Sequence, residues 1–119
     1  MKHILLVDDD SSVLKFLMHA LSQYRVSVAR DPDEALTVAA NVGSLVLLVT
    51  DYLMPSMTGD ELIGRLREQR PALKVLILTG HDSILEIENP SWWAQEAHLA
   101  KPMEIEALRA AVAGLIGPP

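Results

Sequence analysis

The stretch Ile4-Leu5-Leu6-Val7-Asp8-Asp9-Asp10 is an unbroken apolar run that stops at three consecutive acids. An unbroken run of this length is typical of a strand that is buried on both faces, as in a parallel sheet covered by helices. Residues 45–49 and 75–78 are also apolar throughout. Residues 26–29 form a further candidate strand, and residues 98–100 a weaker one. The sequence therefore predicts five strands, the first of which ends in carboxylates.

Between the predicted strands the apolar spacing becomes that of amphipathic helices. The apolar stripe of the first helix consists of Val13, Leu14, Leu17, Met18 and Leu21. In the second helix Asp31 is placed as the N-cap, Pro32 lies in the first turn, and Glu34 can close a capping box. Apolar residues at helical spacing also predict helices around residues 62–66 and 105–115.

The alternation of strand and helix predicts one α/β domain over residues 1–119, a doubly wound sheet with helices on both faces. A chain of 119 residues is long enough for one sizeable core. Two strand orders are common in such sheets, and the spacing alone does not choose between them.

The composition narrows the class of protein. The chain has no cysteine, which excludes disulfides, thiolate metal sites and thiol catalysis. Its formal net charge of −6 makes nucleic acids and membrane surfaces poor partners. No apolar run approaches the ~18 residues of a membrane span, and no signal-peptide cleavage region follows Met1, so we expect a cytoplasmic protein.

The predicted strand ends carry the polar residues of interest. In open α/β sheets ligands bind beyond the carboxyl ends of the strands, so the strand-end residues Asp8, Asp9, Asp10, Asp51, Thr79 and Lys101 are expected to converge on one edge. Carboxylates this close repel one another unless a cation stabilises them. Oxygen donors without His or Cys favour a hard ion, and Mg²⁺ with several waters is the natural fit.

A single acid at a strand end is more often a solvated helix cap than a ligand. This is our interpretation of Asp10, which extends the acidic run of the first strand.

Four motifs along the chain together resemble the receiver domains of two-component signalling. Leu6-Val7-Asp8-Asp9 resembles the acidic pair of the family, and residues 51–59 match its phosphoacceptor Asp, Met-Pro and Gly pattern. Leu78-Thr79-Gly80 and Lys101-Pro102 match its later motifs. The resemblance covers the whole chain and implies a flavodoxin-like (βα)5 fold with strand order 2-1-3-4-5.

The resemblance also implies a function. Asp51 would accept a phosphoryl group from a histidine kinase or a histidine phosphotransfer protein, and Thr79 and Lys101 would contact the phosphoryl oxygens. The implied Mg²⁺ ligands are Asp8, Asp9, Asp51 and the backbone carbonyl of Leu53. The surface of the fourth helix, fifth strand and last helix would then regulate a downstream protein, an output domain or a phosphorylation-dependent dimer. The domain would be no enzyme beyond its own phosphorylation and dephosphorylation.

Two features depart from the family pattern. His98 stands where receivers usually carry the Tyr or Phe that swings during switching; it is either a smaller switch residue or an exposed edge-strand His. Trp92 and Trp93 follow Asn89-Pro90, where proline should break or restart the fourth helix. Two alternatives remain for these side chains. Either one Trp is an anchor for a partner on the switch surface, or both Trp side chains pack under an irregular loop.

Three other functions compete with a phosphoaccepting switch. A binding module of the same fold that no longer uses phosphate is disfavoured because the strand-end residues are all present. A phosphatase of the haloacid-dehalogenase type typically needs an Asp two residues after the nucleophile, and position 53 is Leu. A flavin-binding protein would need a phosphate-cradling loop after the first strand, where residues 8–10 are all Asp.

Overall fold

The computed structural model describes residues 2–51, 59–79, 96–101 and 103–119. Its elements, in chain order, are β1 (His3–Val7), α1 (Ser11–Ala20), β2 (Arg25–Ala29), α2 (Pro32–Ala40), β3 (Leu45–Asp51), α3 (Gly59–Gln69), β4 (Lys74–Thr79), β5 (Ala97–Ala100) and α4 (Ile105–Ile116). All five predicted strands are present. The predicted irregular fourth helix lies outside the described residues.

The five strands form one parallel sheet in the order β2-β1-β3-β4-β5. This confirms the flavodoxin-like order implied by the resemblance. Within the described ranges, no helix is long and apolar enough to cross a membrane.

Two apolar cores lie on opposite faces of the sheet. Helices α2 and α3 pack on one face and α1 and α4 on the other. In β1, Leu5 and Val7 belong to the first core, whereas Ile4 and Leu6 belong to the second, and all four are at most 1% exposed. Burial on both faces explains why the strands read as unbroken apolar runs.

The start of α2 follows the predicted capping pattern with one difference. The Asp31 side chain accepts a hydrogen bond from the Glu34 backbone N–H at 2.8 Å, as predicted. The Glu34 carboxylate accepts from the backbone N–H of Arg30 at 3.0 Å, one residue before the N-cap. The capping box is therefore displaced by one residue, and it still satisfies two backbone donors.

The predicted stripe of α1 is correct except for Met18. Leu14 and Leu17 are buried, but Met18 is 43% exposed. Met18 is one residue after Leu17, and successive positions on a helix point about 100° apart, so Met18 lies at the edge of the stripe.

Candidate functional site

The sheet register brings the predicted site residues to one edge. Val7 pairs with Thr50, so Asp8 and Asp51 are next to each other at the carboxyl ends of β1 and β3. Thr79, the last residue of β4, pairs with Ala100, and Lys101 follows directly. Parallel strands thus place all four positions on the edge where open α/β sheets bind ligands.

Three carboxylates form a compact cluster at this edge. Asp8, Asp9 and Asp51 each offer an oxygen, and these oxygens lie within 4.8 Å of one another. Asp8 is buried, Asp51 is partly buried and Asp9 is exposed, so the cluster opens to solvent on the Asp9 side. A set of carboxylate oxygens without His or Cys fits Mg²⁺, which binds through one or two carboxylates and keeps several waters.

Lys101 is the cation of this cluster. Its Nζ lies 2.7 Å from Oδ2 of Asp8 and 3.4 Å from Oδ2 of Asp51. Burial lowers the pKa of Lys101, but the hydrogen bond to Asp8 and the charges of Asp51 and Asp8 raise it by more, so the net pKa is above its ordinary value. The ammonium is therefore charged at neutral pH and offsets part of the carboxylate repulsion.

Asp8 is held on both of its oxygens. Oδ1 accepts a hydrogen bond from the backbone N–H of Asp10 at 2.9 Å, and Oδ2 accepts from Lys101. The side chain of Asp10 accepts from the Ser12 backbone N–H at 2.8 Å and caps α1. The interpretation of Asp10 as a helix start is confirmed, and its backbone also fixes the orientation of Asp8.

Comparison with known proteins identifies the family. The family model described as the response regulator receiver domain matches residues 4–113. The chain belongs to this family. It is a receiver domain of two-component systems, and the receiver resemblance is confirmed.

Curated relatives of this receiver domain are regulatory proteins. Response regulator MprA of Mycobacterium sp. strain KMS is 36% identical over 115 residues, which cover 95% of this chain and 50% of the relative. Transcriptional regulatory protein GlrR of Escherichia coli strain K12 is 34% identical over 112 residues, 92% of this chain and 25% of the relative. The chain thus spans half or less of the length of these relatives.

Solved structures support the same conclusion for the fold. Chemotaxis protein CheY4 of Vibrio cholerae has a TM-score of 0.85 at 28% identity. The match covers 98% of this chain and 99% of the CheY4 chain. Response regulator protein TrrA of Thermotoga maritima, solved in complex with Mg²⁺-BeF, has a TM-score of 0.82 at 30% identity. The match covers 98% of this chain and 100% of the TrrA chain.

The remaining predicted residues of the receiver domain are only partly described. Thr79 ends β4, but its side chain, together with Leu53, Trp92 and Trp93, lies outside the described part of the chain. His98 lies in the edge strand β5 with an exposed side chain, and its Nδ1 lies 3.3 Å from the backbone carbonyl oxygen of Glu96, within hydrogen-bond distance. The structure therefore places His98 at the surface and leaves its role in switching as a prediction.

A pocket beside Lys101 was not predicted from the sequence. Its volume is about 460 Å³, and apart from Lys101 its lining residues are Ser12, Val13, Phe16 and Met103. Val13 and Phe16 are three residues apart and therefore share a face of α1. The helical spacing was the available signal, but it predicts only the core-facing stripe, and Val13 packs partly buried against that core as well as lining the pocket.

Proposed function

We propose that this receiver domain accepts a phosphoryl group on Asp51 from a phosphorylated histidine of a kinase or phosphotransfer protein, in a Mg²⁺-dependent reaction. The observation that supports the proposal is the position of Asp51. It ends β3 beside Asp8 and Asp9, and its carboxylate lies 3.4 Å from the ammonium of Lys101. A carboxylate nucleophile next to a fixed positive charge suits phosphoryl transfer, which depends mainly on positioning and charge neutralisation.

The chemistry would proceed by displacement at phosphorus. An oxygen of Asp51 forms the new O–P bond, while the N–P bond of the donor breaks and its electron pair leaves with the imidazole nitrogen. Lys101 pairs with the phosphoryl oxygens, and the Thr79 hydroxyl donates a hydrogen bond to one of them. The product is an acyl phosphate on Asp51 and an unphosphorylated histidine on the donor.

The residues that would hold the metal are Asp8, Asp9, Asp51 and the backbone carbonyl of Leu53. Mg²⁺, when bound, would neutralise negative charge on the transferring group. The support from this chain is the all-oxygen donor set of the three carboxylates. The solved complex of TrrA with Mg²⁺-BeF provides a relative of the same fold that binds these groups.

The output would be a change in one surface of the domain. The surface of the predicted fourth helix, β5 and the C-terminal helix α4 would act on a downstream protein, an output domain or a second copy, with His98, Trp92 and Trp93 contributing. We propose that residues 1–119 act as one signalling domain in the cytoplasm, with no activity beyond their own phosphorylation and dephosphorylation.

The test is phosphorylation by a small donor, acetyl phosphate, with Mg²⁺ or with EDTA, followed by intact mass spectrometry. The wild type should gain one phosphoryl group with Mg²⁺, and Asp51→Asn should gain none. Asp10→Asn is the matched control because Asn is an equally good N-cap and Asp10 lies outside the cluster. It should be labelled like the wild type. Labelling of Asp51→Asn, or none of the folded wild type, would contradict the proposal.

A further inference from the structure

A second pocket lies at the amino-terminal edge of the sheet, opposite the acidic cluster. Its volume is about 410 Å³, which is within the range of about 300–1,000 Å³ that is usual for small-molecule sites. Lys2 precedes β1, Leu45 begins β3 and Lys74 begins β4, so the amino ends of three neighbouring strands contribute to its lining. The pocket is therefore separate from the candidate site, which lies at the carboxyl edge.

Most of the lining is apolar. The large apolar side chains are Leu45, Val46, Leu73, Leu115 and Ile116. Leu45 and Leu73 are buried, whereas Val46, Leu115 and Ile116 are only partly buried and pack against the core that lies under α1 and α4. These three side chains bury one side in the core and leave the other side to the pocket. Apolar surface that stays in contact with water is available for an apolar ligand.

The charged residues of this pocket are all cations. Lys2, Arg70 and Lys74 line it, and among the described residues no Asp or Glu does, although the whole chain has 16 acids and only 10 Lys and Arg. Arg70 is already bound to the end of α2, because its Nη2 donates to the backbone carbonyls of Ala39 and Val42 at 2.7 and 2.5 Å. Lys2 and Lys74 are therefore the cations that can face a ligand.

The two lysines both have donors left for an anion. Lys2 Nζ donates a 2.9 Å hydrogen bond to the backbone carbonyl of Pro118, and an ammonium group has three donors. Lys74 is exposed and has no ion pair within the ranges that the structure describes. Because these ammonium groups lie beside apolar surface, their attraction for an anion is stronger than it would be in open water.

We propose that this pocket binds an amphiphilic anion, a molecule with one extended apolar chain and one anionic headgroup. The apolar chain packs against Val46, Leu115 and Ile116, and the headgroup pairs with Lys74 and Lys2. Burial of the apolar chain supplies most of the affinity, and the two ammonium groups select the charge of the ligand. The proposal is independent of the proposed function, because it uses no residue of the acidic cluster.

The test is a titration with decanoate, below its micelle concentration, followed by NMR of methyl-labelled Ile, Leu and Val. The methyl signals of Val46, Leu115 and Ile116 should shift saturably. Those of Leu62, which lies in the core on the other face of the sheet, should shift little. Decyltrimethylammonium has the same apolar chain and the opposite charge, and it should bind about tenfold more weakly or worse.

Variants test the two parts of the pocket separately. Lys74→Glu reverses one charge and should raise the Kd for decanoate about tenfold, whereas Lys15→Glu makes the same reversal at an exposed position on α1 and should stay within about twofold. Val46→Thr keeps the shape of the side chain and adds a hydroxyl, and it should raise the Kd about threefold.

Three results would overturn the proposal: no saturable shifts at these methyls, equal affinities for the two probes, or an unchanged affinity of Lys74→Glu. The same shifts on raising the protein concentration without decanoate would also overturn it, because a second copy would then occupy the pocket. The comparison of the two probes needs only the wild type, so it decides the proposal even if a variant fails to fold.

Discussion

The ammonium of Lys101 donates a 2.7 Å hydrogen bond to the carboxylate of Asp8, a residue 93 positions earlier in the chain. The pair joins the end of β1 to the end of β5, and it leaves the Asp8 side chain only 1% exposed. Because a buried carboxylate is costly without a partner, this contact holds the edge of the sheet together as well as forming part of the site.

The first prediction concerns the stability of the metal-free domain. Lys101→Met should lower the free energy of unfolding in EDTA by about 2–3 kcal/mol, since it leaves the Asp8 charge buried and unpaired. Lys101 itself is 23% exposed, so the loss should be somewhat smaller than the ~3–5 kcal/mol that is typical when a fully buried pair is broken. Urea denaturation measures it. The exposed residue Lys15 gives the control, and Lys15→Met should change stability by less than about 0.5 kcal/mol. Equal losses in the two variants would show that the Asp8 pair is not stabilising.

Repulsion within the acidic cluster gives the second prediction. Asp9 is exposed, and the structure describes no ion pair for it, so Asp9→Asn should relieve repulsion from Asp8 and Asp51. The variant should be more stable than the wild type in EDTA by about 0.5–1 kcal/mol, as expected for a site that trades stability for function. Mg²⁺ should raise its melting temperature less than that of the wild type, because ion binding to the folded state is weaker. Thermal melts with and without Mg²⁺ check both parts, and identical Mg²⁺ responses would exclude Asp9 from the metal site.

A pair between α3 and the start of β5 gives the third prediction. Arg67 contacts both carboxylate oxygens of Glu96, at 2.6 and 3.2 Å, and also donates to the backbone carbonyl of Leu73. It therefore ties α3 to the residue before β5. Arg67→Ala should lower the free energy of unfolding by about 1–2 kcal/mol. Arg67→Lys should recover less than half of that loss, because Lys cannot form the bidentate contact.

Chemical denaturation of these two variants is compared with Arg65→Ala, an exposed position on the same helix that should change stability by less than about 0.5 kcal/mol. Full restoration by Arg67→Lys would mean that charge alone matters at this position.

The fourth prediction is a pH dependence that arises at His3. Burial lowers the pKa of His3 from its ordinary value of 6.5, and the charge of Arg25 lowers it further. The neutral ring, which lies 2.7 Å from the Ser27 hydroxyl, is thus favoured in the folded state. The contribution of the neutral His3 ring to the free energy of unfolding is present above the pKa of the unfolded state. It is lost as the pH falls through the lower pKa of the folded state. Urea midpoints at about pH 7.5 and pH 5 should therefore differ less in His3→Gln than in the wild type. His19→Gln, at an exposed position on α1, controls for the replacement of one imidazole by an amide, and an unchanged pH dependence in His3→Gln would refute the prediction.

The sequence was sufficient for the elements of the sheet but not for the contacts of the site. The five strands were predictable because residues such as Leu5 and Leu6 are buried on opposite faces and leave unbroken apolar runs. The strand order came from the family resemblance, since spacing does not encode it. That Lys101 lies closer to Asp8 than to Asp51 depends on differences below 1 Å between side chains, and no sequence pattern reports these.

Side-chain contacts between residues far apart in the sequence could not be predicted either. Arg67 and Glu96 are 29 residues apart and belong to no motif, so nothing in the sequence linked them. Met18 was assigned to the buried stripe because it is apolar and close to the correct spacing, and its exposure reflects the width of the surface that α1 presents to the sheet.

The most direct test of the central claim is to locate the phosphoryl group chemically. The wild type is treated with acetyl phosphate and Mg²⁺ and then with sodium borohydride, which reduces an aspartyl phosphate to homoserine, and the peptides are sequenced by tandem mass spectrometry. We expect homoserine at position 51 and Asp at positions 8, 9 and 10. Homoserine at any of these other positions, or unmodified Asp51 in protein whose intact mass shows a phosphoryl group, would contradict the assignment of Asp51 as the phosphoacceptor.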